Sequence, residues 1–198
     1  ITPAAAEQSY VYENQARALY DIGLFKGSSE TEFVPNLGAA LTRQEGVAML
    51  IRLMGLEDDA LAMSEQEVTN ILNKVPDANN IALWARKYMA YGIKNELVAG
   101  MPDGSIDPLG ALLGKAYCTL ILRAMGYTVD ADGYQVAAAT LSSIGGLTIQ
   151  EVLKFNDKPL IRDDLVGISH SALQAKYSDG KTVMAVLVEK KAVDEDKV

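Results

Sequence analysis

The chain has 198 residues, 49% hydrophobic and 22% charged, an ordinary globular composition with room for one domain or two or three small units sharing a core. No apolar run approaches the length of a membrane span, and a formal net charge of -8 argues against a nucleic-acid binder, which would carry a basic face. The single cysteine, Cys118, rules out an internal disulfide framework and a cysteine-based metal site, and its apolar surroundings read as core.

The chain opens Ile1-Thr2-Pro3 without Met, which reads as a processed product or an excised piece of a longer chain, any targeting signal having already gone. A first helix is predicted over 10–22. Ala16, Leu19, Tyr20 and Ile22 form its apolar face, and Gly23 stands where a helix turns left-handed.

The segment Leu41-Thr42-Arg43-Gln44-Glu45 then opens a second helix that stops at Gly55. Thr42 and Glu45 have capping-box spacing: the hydroxyl accepts from the backbone N–H three residues on, and the carboxylate reaches back. Arg43 falls on the electropositive first turn, where the helix dipole disfavours a cation. A cation beside exposed N–H groups makes sense if the partner is an anion. Because net charge gives no long-range attraction, such a partner must be held by short-range donors.

Ser64 and Glu67 form another capping box, opening a shorter helix towards Leu72. Asn79 or Asn80 then caps a predicted helix through Tyr91 that carries Trp84, and the following loop, 99–105, is dense in turn residues. The stretch around Gly126 repeats the one around Gly55 at a distance of 71 residues, while Pro108 follows Pro35 by 73. In the last third, 138–145 repeats a helix ending in glycine. Leu160-Ile161-Arg162-Asp163-Asp164 occupies the slot of the Leu41 segment, so an Arg and an acid two residues later recur at a helix start. A further helix is predicted over 181–192, with a frayed tail over 194–198. The expected architecture is all-α: three helix-loop-helix units at 1–63, 64–130 and 131–198 in one compact assembly.

These features resemble S-layer homology repeats. Phe33-Val34-Pro35 and the Thr42-Arg43-Gln44-Glu45 segment carry the likeness in unit one. Val75-Pro76-Asp77, Trp84-Ala85, Gly92, Gly100, Asp103-Gly104 and Ile106-Asp107-Pro108 carry it in unit two, and 171–176 with 179–182 in a divergent unit three. The resemblance implies a pseudo-threefold, three-pronged arrangement in which the first helices of the repeats form a central bundle. It also implies a secreted, non-catalytic module that attaches to the wall of a Gram-positive-type bacterium. The implied partner is an anionic secondary cell wall polysaccharide, in the family commonly one carrying a pyruvate ketal, held in grooves between repeats, together with other S-layer or surface proteins. No cofactor is implied.

Unit two departs from the pattern. Leu113-Gly114-Lys115-Ala116 stands where Thr-Arg-Ala-Glu belongs, so cap and Arg are both missing, and Lys115 offers a point charge without the planar fork of arginine. The second groove is therefore expected to be incomplete.

The candidate ligand residues each have a structural alternative. Thr42 and Glu45 serve the cap or the ligand, while Arg43 and Arg162, with Asp164, serve a ligand or an ion pair. Trp84 packs in the core or stacks on a sugar, and Asp77, Asp103 and Gly104 serve turns or the ligand. One histidine, His170, has no partners at triad spacing. No phosphate-cradling glycine loop or standout carboxylate pair suggests catalysis. An assembly module without glycan affinity, and an enzyme acting on wall polymers, are the competing classes.

Overall fold

A computed structural model describes residues 10–29 and 31–197. It is all-α. Eleven helices run in order: α1 (Glu13–Asp21), α2 (Arg43–Leu53), α3 (Glu57–Leu61), α4 (Glu65–Leu72), α5 (Arg86–Lys94), α6 (Gly114–Ala124), α7 (Ala131–Gln135), α8 (Ala137–Ser143), α9 (Ile149–Phe155), α10 (Arg162–Ala172) and α11 (Val183–Glu189). Several starts and stops follow from local chemistry. Gly23 ends the α1 segment at φ 83°, a conformation that costs glycine nothing. Ser64 accepts from the Glu67 N–H at 3.2 Å to open α4, and Thr182 accepts from the Ala185 N–H at 3.1 Å to open α11.

The middle of the molecule is made by α2, α6 and α10. Each buries eight of its eleven residues, including Leu50, Ile51, Ile121, Leu122, Val166 and Ile168, all fully enclosed. A side chain of this kind contributes about 1.5–3 kcal/mol when buried. The central bundle is thus not built from the first helices. Those helices are amphipathic, with α1 burying only Ala16 and Leu19, and they pack outside, α1 on α10, α5 on α2 and α8 on α6. A helix apolar on most of its circumference must go inside, and one with a single apolar stripe covers it.

The extended residues just before the three central helices are buried too, at Leu41, Leu112 and Leu160. Buried backbone groups must find partners, and with no sheet available these find one another. Leu41 donates to the Leu160 carbonyl at 3.2 Å, Leu160 to Leu112 at 2.8 Å, and Leu112 to Leu41 at 3.1 Å, closing a ring.

The segment carrying Trp84 is not α-helical. Short 3-10 turns at Ala78–Asn80 and Leu83–Ala85 precede α5. Two polar residues hold such helix starts from a distance. Gln44 accepts from the Ala82 N–H at 3.0 Å, and Asp163 accepts from the Tyr12 N–H at 2.9 Å. Cys118 is fully buried, and burial pushes its thiol up to about 12. At the C-terminus a 3-10 turn covers Glu195–Lys197, while Val198 lies outside the described residues.

Candidate functional site

The first two backbone donors of α2 are not free. The Arg43 N–H donates to the Gly110 carbonyl and that of Gln44 to Pro108, both at 3.0 Å. The same holds for α10, where Arg162 donates to Ala39 and Asp163 to Leu37, both at 2.9 Å. The N–H half of the anion argument is therefore overturned: carbonyls of a neighbouring loop have taken the place of a ligand. The capping residues are equally engaged. Glu45 Oε2 accepts from the Thr42 N–H at 2.8 Å and from the Thr42 hydroxyl at 2.6 Å.

What remains is the guanidinium groups. Arg162 donates through Nε to the Pro35 carbonyl at 3.1 Å and through Nη2 to the Lys26 carbonyl at 2.9 Å, with its head 5.4 Å from the Phe25 ring. Burial pulls its pKa down from the ordinary arginine value, against the pull of Glu45. Arg43 donates through Nε to the Ile106 carbonyl at 2.9 Å. Among the described residues no carboxylate forms a salt bridge with either.

Each of these arginines lines a separate cavity. The larger, of about 940 Å³, brings Arg162 together with Glu45, Lys26, Arg52, Trp84 and Tyr88. Trp84 is 51% exposed, its ring 6.3 Å from that of Tyr88 at 62°. The floor is braced by Glu57 on α3, which accepts from Lys26 and from Arg52 Nε, each at 2.9 Å, and from the Tyr88 hydroxyl. Burial would raise the Glu57 carboxyl, but bonds from Tyr88, Lys26 and Arg52 overcome it and hold it at about 2. This network was not visible in the sequence, because its four members lie on separate elements with no shared motif.

The smaller cavity, of about 300 Å³, brings Arg43 together with Arg123 between α2, α6 and the loop before Ile106.

The other candidates serve the frame. Asp164 is 1% exposed, accepts from the Ile161 N–H at 3.1 Å and pairs with Lys158 at 2.7 Å, so it caps α10 where Ile161 cannot. Asp77 accepts from the N–H groups of Ile106 and Asp107 at 3.0 and 2.7 Å, pinning the loop that Arg43 contacts. Asp103 accepts from the Ser105 N–H and hydroxyl at 2.9 and 2.7 Å, and Gly104 takes φ 84° in the same turn. Asp164, Asp77, Asp103 and Gly104 line neither arginine cavity.

The place matching Arg43 and Arg162 in α6 is Gly114, whose N–H donates to Lys158. A side-chain carbon there would collide with the Phe155 carbonyl oxygen. Lys115 is one position too late to stand in for arginine, and it is tied to Asp157 at 2.8 Å and Gln135 at 2.9 Å. The sequence defect therefore marks a junction filled by α9, not the cavities of Arg43 and Arg162.

The all-helical scaffold thus carries two arginine-lined concavities, one of them faced by the exposed Trp84 ring. Residues 76–112 match the S-layer homology domain, from Pro76 beside Asp77 to Leu112 in the hydrogen-bonded ring. The chain is 28% identical over 179 residues to a cell surface protein of Thermoanaerobacter kivui, covering 87% of this chain and 22% of that protein. It is 25% identical over 174 residues to the middle cell wall protein of Brevibacillus brevis, covering 87% and 16%. A surface layer protein of Brevibacillus choshinensis is 26% identical over 133 residues, covering 67% and 11%. The chain thus spans about a fifth or less of these much longer proteins. No helix among the described residues is long and apolar enough to cross a membrane.

Proposed function

We propose that this chain is a non-catalytic anchoring module that holds a secreted protein to the wall of a Gram-positive-type bacterium by binding an anionic secondary wall polysaccharide. The observation that carries the reading is Arg162, a guanidinium with no carboxylate partner among the described residues, on the wall of a 940 Å³ cavity faced by Trp84 and Tyr88. A carboxylate, such as that of a pyruvate ketal on a sugar, suits the free guanidinium edge, and one charge-assisted hydrogen bond contributes roughly 1.5–3 kcal/mol. Aromatic faces receive the apolar face of a sugar ring. The similarity to cell surface and cell wall proteins supports the anchoring role.

The same reading divides the chain into three repeats, 1–63, 64–130 and 131–198, related by a pseudo-threefold axis. The closed ring of Leu41, Leu112 and Leu160 supports it, as does the recurring packing of each first helix on the central helix of the preceding repeat. Polysaccharide is held at the junction served by Arg162, and the junction at Gly114 is shut.

Pull-down with purified wall sacculi tests this, before and after hydrofluoric acid strips the polysaccharide. Binding is expected to intact walls alone, and equal binding to both overturns the anchor. A second reading, assembly with other surface proteins, draws on Ile149 and Leu153, which stand 67% and 83% exposed one turn apart on α9. Concentration-dependent self-association without glycan affinity favours that alternative.

A further inference from the structure

The two arginine cavities are built on one frame. In the larger, Leu41, Glu45, Ala48, Met49 and Arg52 form one wall. In the smaller, Leu112, Ala116, Thr119, Leu120 and Arg123 form it, each 71 residues further on. Arg162 reaches across to the first and Arg43 to the second, each bonding a loop carbonyl through Nε. The loops correspond as well: Ser28 donates to the Val34 carbonyl at 2.8 Å, and Met101 to that of Ser105 at 2.7 Å. Lys26 and Ala99 therefore occupy matching places, two residues before each of these turns.

On that common frame the chemistry diverges in one direction. Ala99 stands where the larger cavity has Lys26, Ala116 where it has Glu45, and Met101 where it has Ser28. The remaining surface of the smaller cavity is made by Val47, Met89, Val98, Gly100, Ile106 and Tyr134, of which only Tyr134 brings a polar side-chain atom. The Thr119 hydroxyl donates its proton to the Lys115 carbonyl at 2.8 Å, which leaves it no donor for a ligand. Both arginines are nevertheless kept. Arg123 bonds only carbonyls, those of Leu97 at 3.4 Å and Val129 at 3.3 Å. Unlike Arg52 with its Glu57, it has no carboxylate partner among the described residues.

A sugar entering this space would bury hydroxyls against methyl groups, and an unpartnered buried hydroxyl is unfavourable. A neutral apolar molecule would leave two guanidinium groups facing it unanswered. We infer that the smaller cavity binds a monocarboxylate with a compact apolar body, an acyl acid in place of a glycan, with its carboxylate between Arg43 and Arg123. At about 300 Å³ the space lies at the small end of ligand pockets. The chain would then hold two different anions at two junctions of one scaffold.

Methionine methyl NMR on the full chain tests this with hexanoate as the probe. Met89 and Met101 line the smaller cavity, and Met49 lines the larger. Saturable hexanoate shifts are expected at Met89 and Met101 with Met49 unmoved, and hexanamide should bind at least tenfold more weakly. Ala99→Glu sets a competing carboxylate at an exposed site beside the guanidinium groups, where Arg43→Gln would also disturb the loop. It should weaken hexanoate at least tenfold with no change in melting temperature. The inference is overturned by comparable binding of hexanamide, by glucuronate displacing hexanoate at these methyls, by indifference to Ala99→Glu, or by no hexanoate shift at all.

Discussion

Gly114 at the first position of α6 lies so close to the Phe155 carbonyl oxygen that a single added methyl has nowhere to go. Replacing a helical glycine by alanine ordinarily stabilises a protein by about 0.4–1 kcal/mol, through the unfolded chain. Here the sign should reverse, because overpacking against backbone costs about 1–3 kcal/mol. Gly114→Ala is therefore expected to lower the urea midpoint. Gly114→Arg, although it rebuilds the missing motif residue, should be less stable still and should gain no wall binding.

The three residues at or beside corresponding helix starts should separate cleanly in wall binding. Arg162→Ala removes the unpaired guanidinium of the larger cavity and should weaken sacculus binding at least tenfold, about 1.4 kcal/mol. Arg43→Ala should weaken it less, through the Ile106 loop it holds and not through a glycan contact. Lys115→Ala breaks only the contacts with Asp157 and Gln135 and should leave affinity unchanged. Quantitative pull-down across a protein titration gives the ranking, and equal losses from Arg162 and Lys115 would contradict it.

Trp84 contributes little to the core, being half exposed on a 3-10 turn. Trp84→Ala should shift the melting temperature by no more than a degree or two while reducing wall affinity several-fold. Parallel melting curves and binding isotherms decide, and a large stability loss with intact binding would assign the ring to packing.

Glu57 links the cavity floor to pH. Its carboxyl falls from 4.5 to about 2 in the folded chain, so the unfolded chain takes up the proton first as acid is added. Its contribution is complete above about pH 5 and disappears as the pH falls towards 2. Glu57→Gln should cost about 1–2 kcal/mol at pH 7, allowing for solvent screening of Lys26, and the gap from the unmutated chain should close in acid. Chemical denaturation at pH 7, 4 and 2.5 measures it.

Much of this was legible in the chain and some was not, for reasons of distance. Thr42 with Glu45, Ser64 with Glu67, and Gly23 act over three or four residues, so their spacing predicts the helix ends correctly. The 71-residue register from Gly55 to Gly126 likewise carries through to paired cavity walls. The position of Pro108 misleads by two: Ile106, not Pro108, offers the carbonyl matching that of Pro35. The N–H groups of Arg43 and Gln44 look free in sequence because their acceptors, Gly110 and Pro108, lie over 60 residues away. Asp77 reads as turn chemistry, yet it holds a loop 29 residues on. The inside place of α2, α6 and α10 follows from their unbroken apolar character, which outweighs the order of helices within a unit.

The bonds joining Leu41, Leu160 and Leu112 leave no loose end. An open row of such bonds ends in an unpaired donor and an unpaired acceptor, but a closed cycle of three has neither. Excising one of these three segments strands a donor on one neighbour and an acceptor on the other, deep in what had been dry interior. Truncated chains would recover their missing contact only by trading segments with one another.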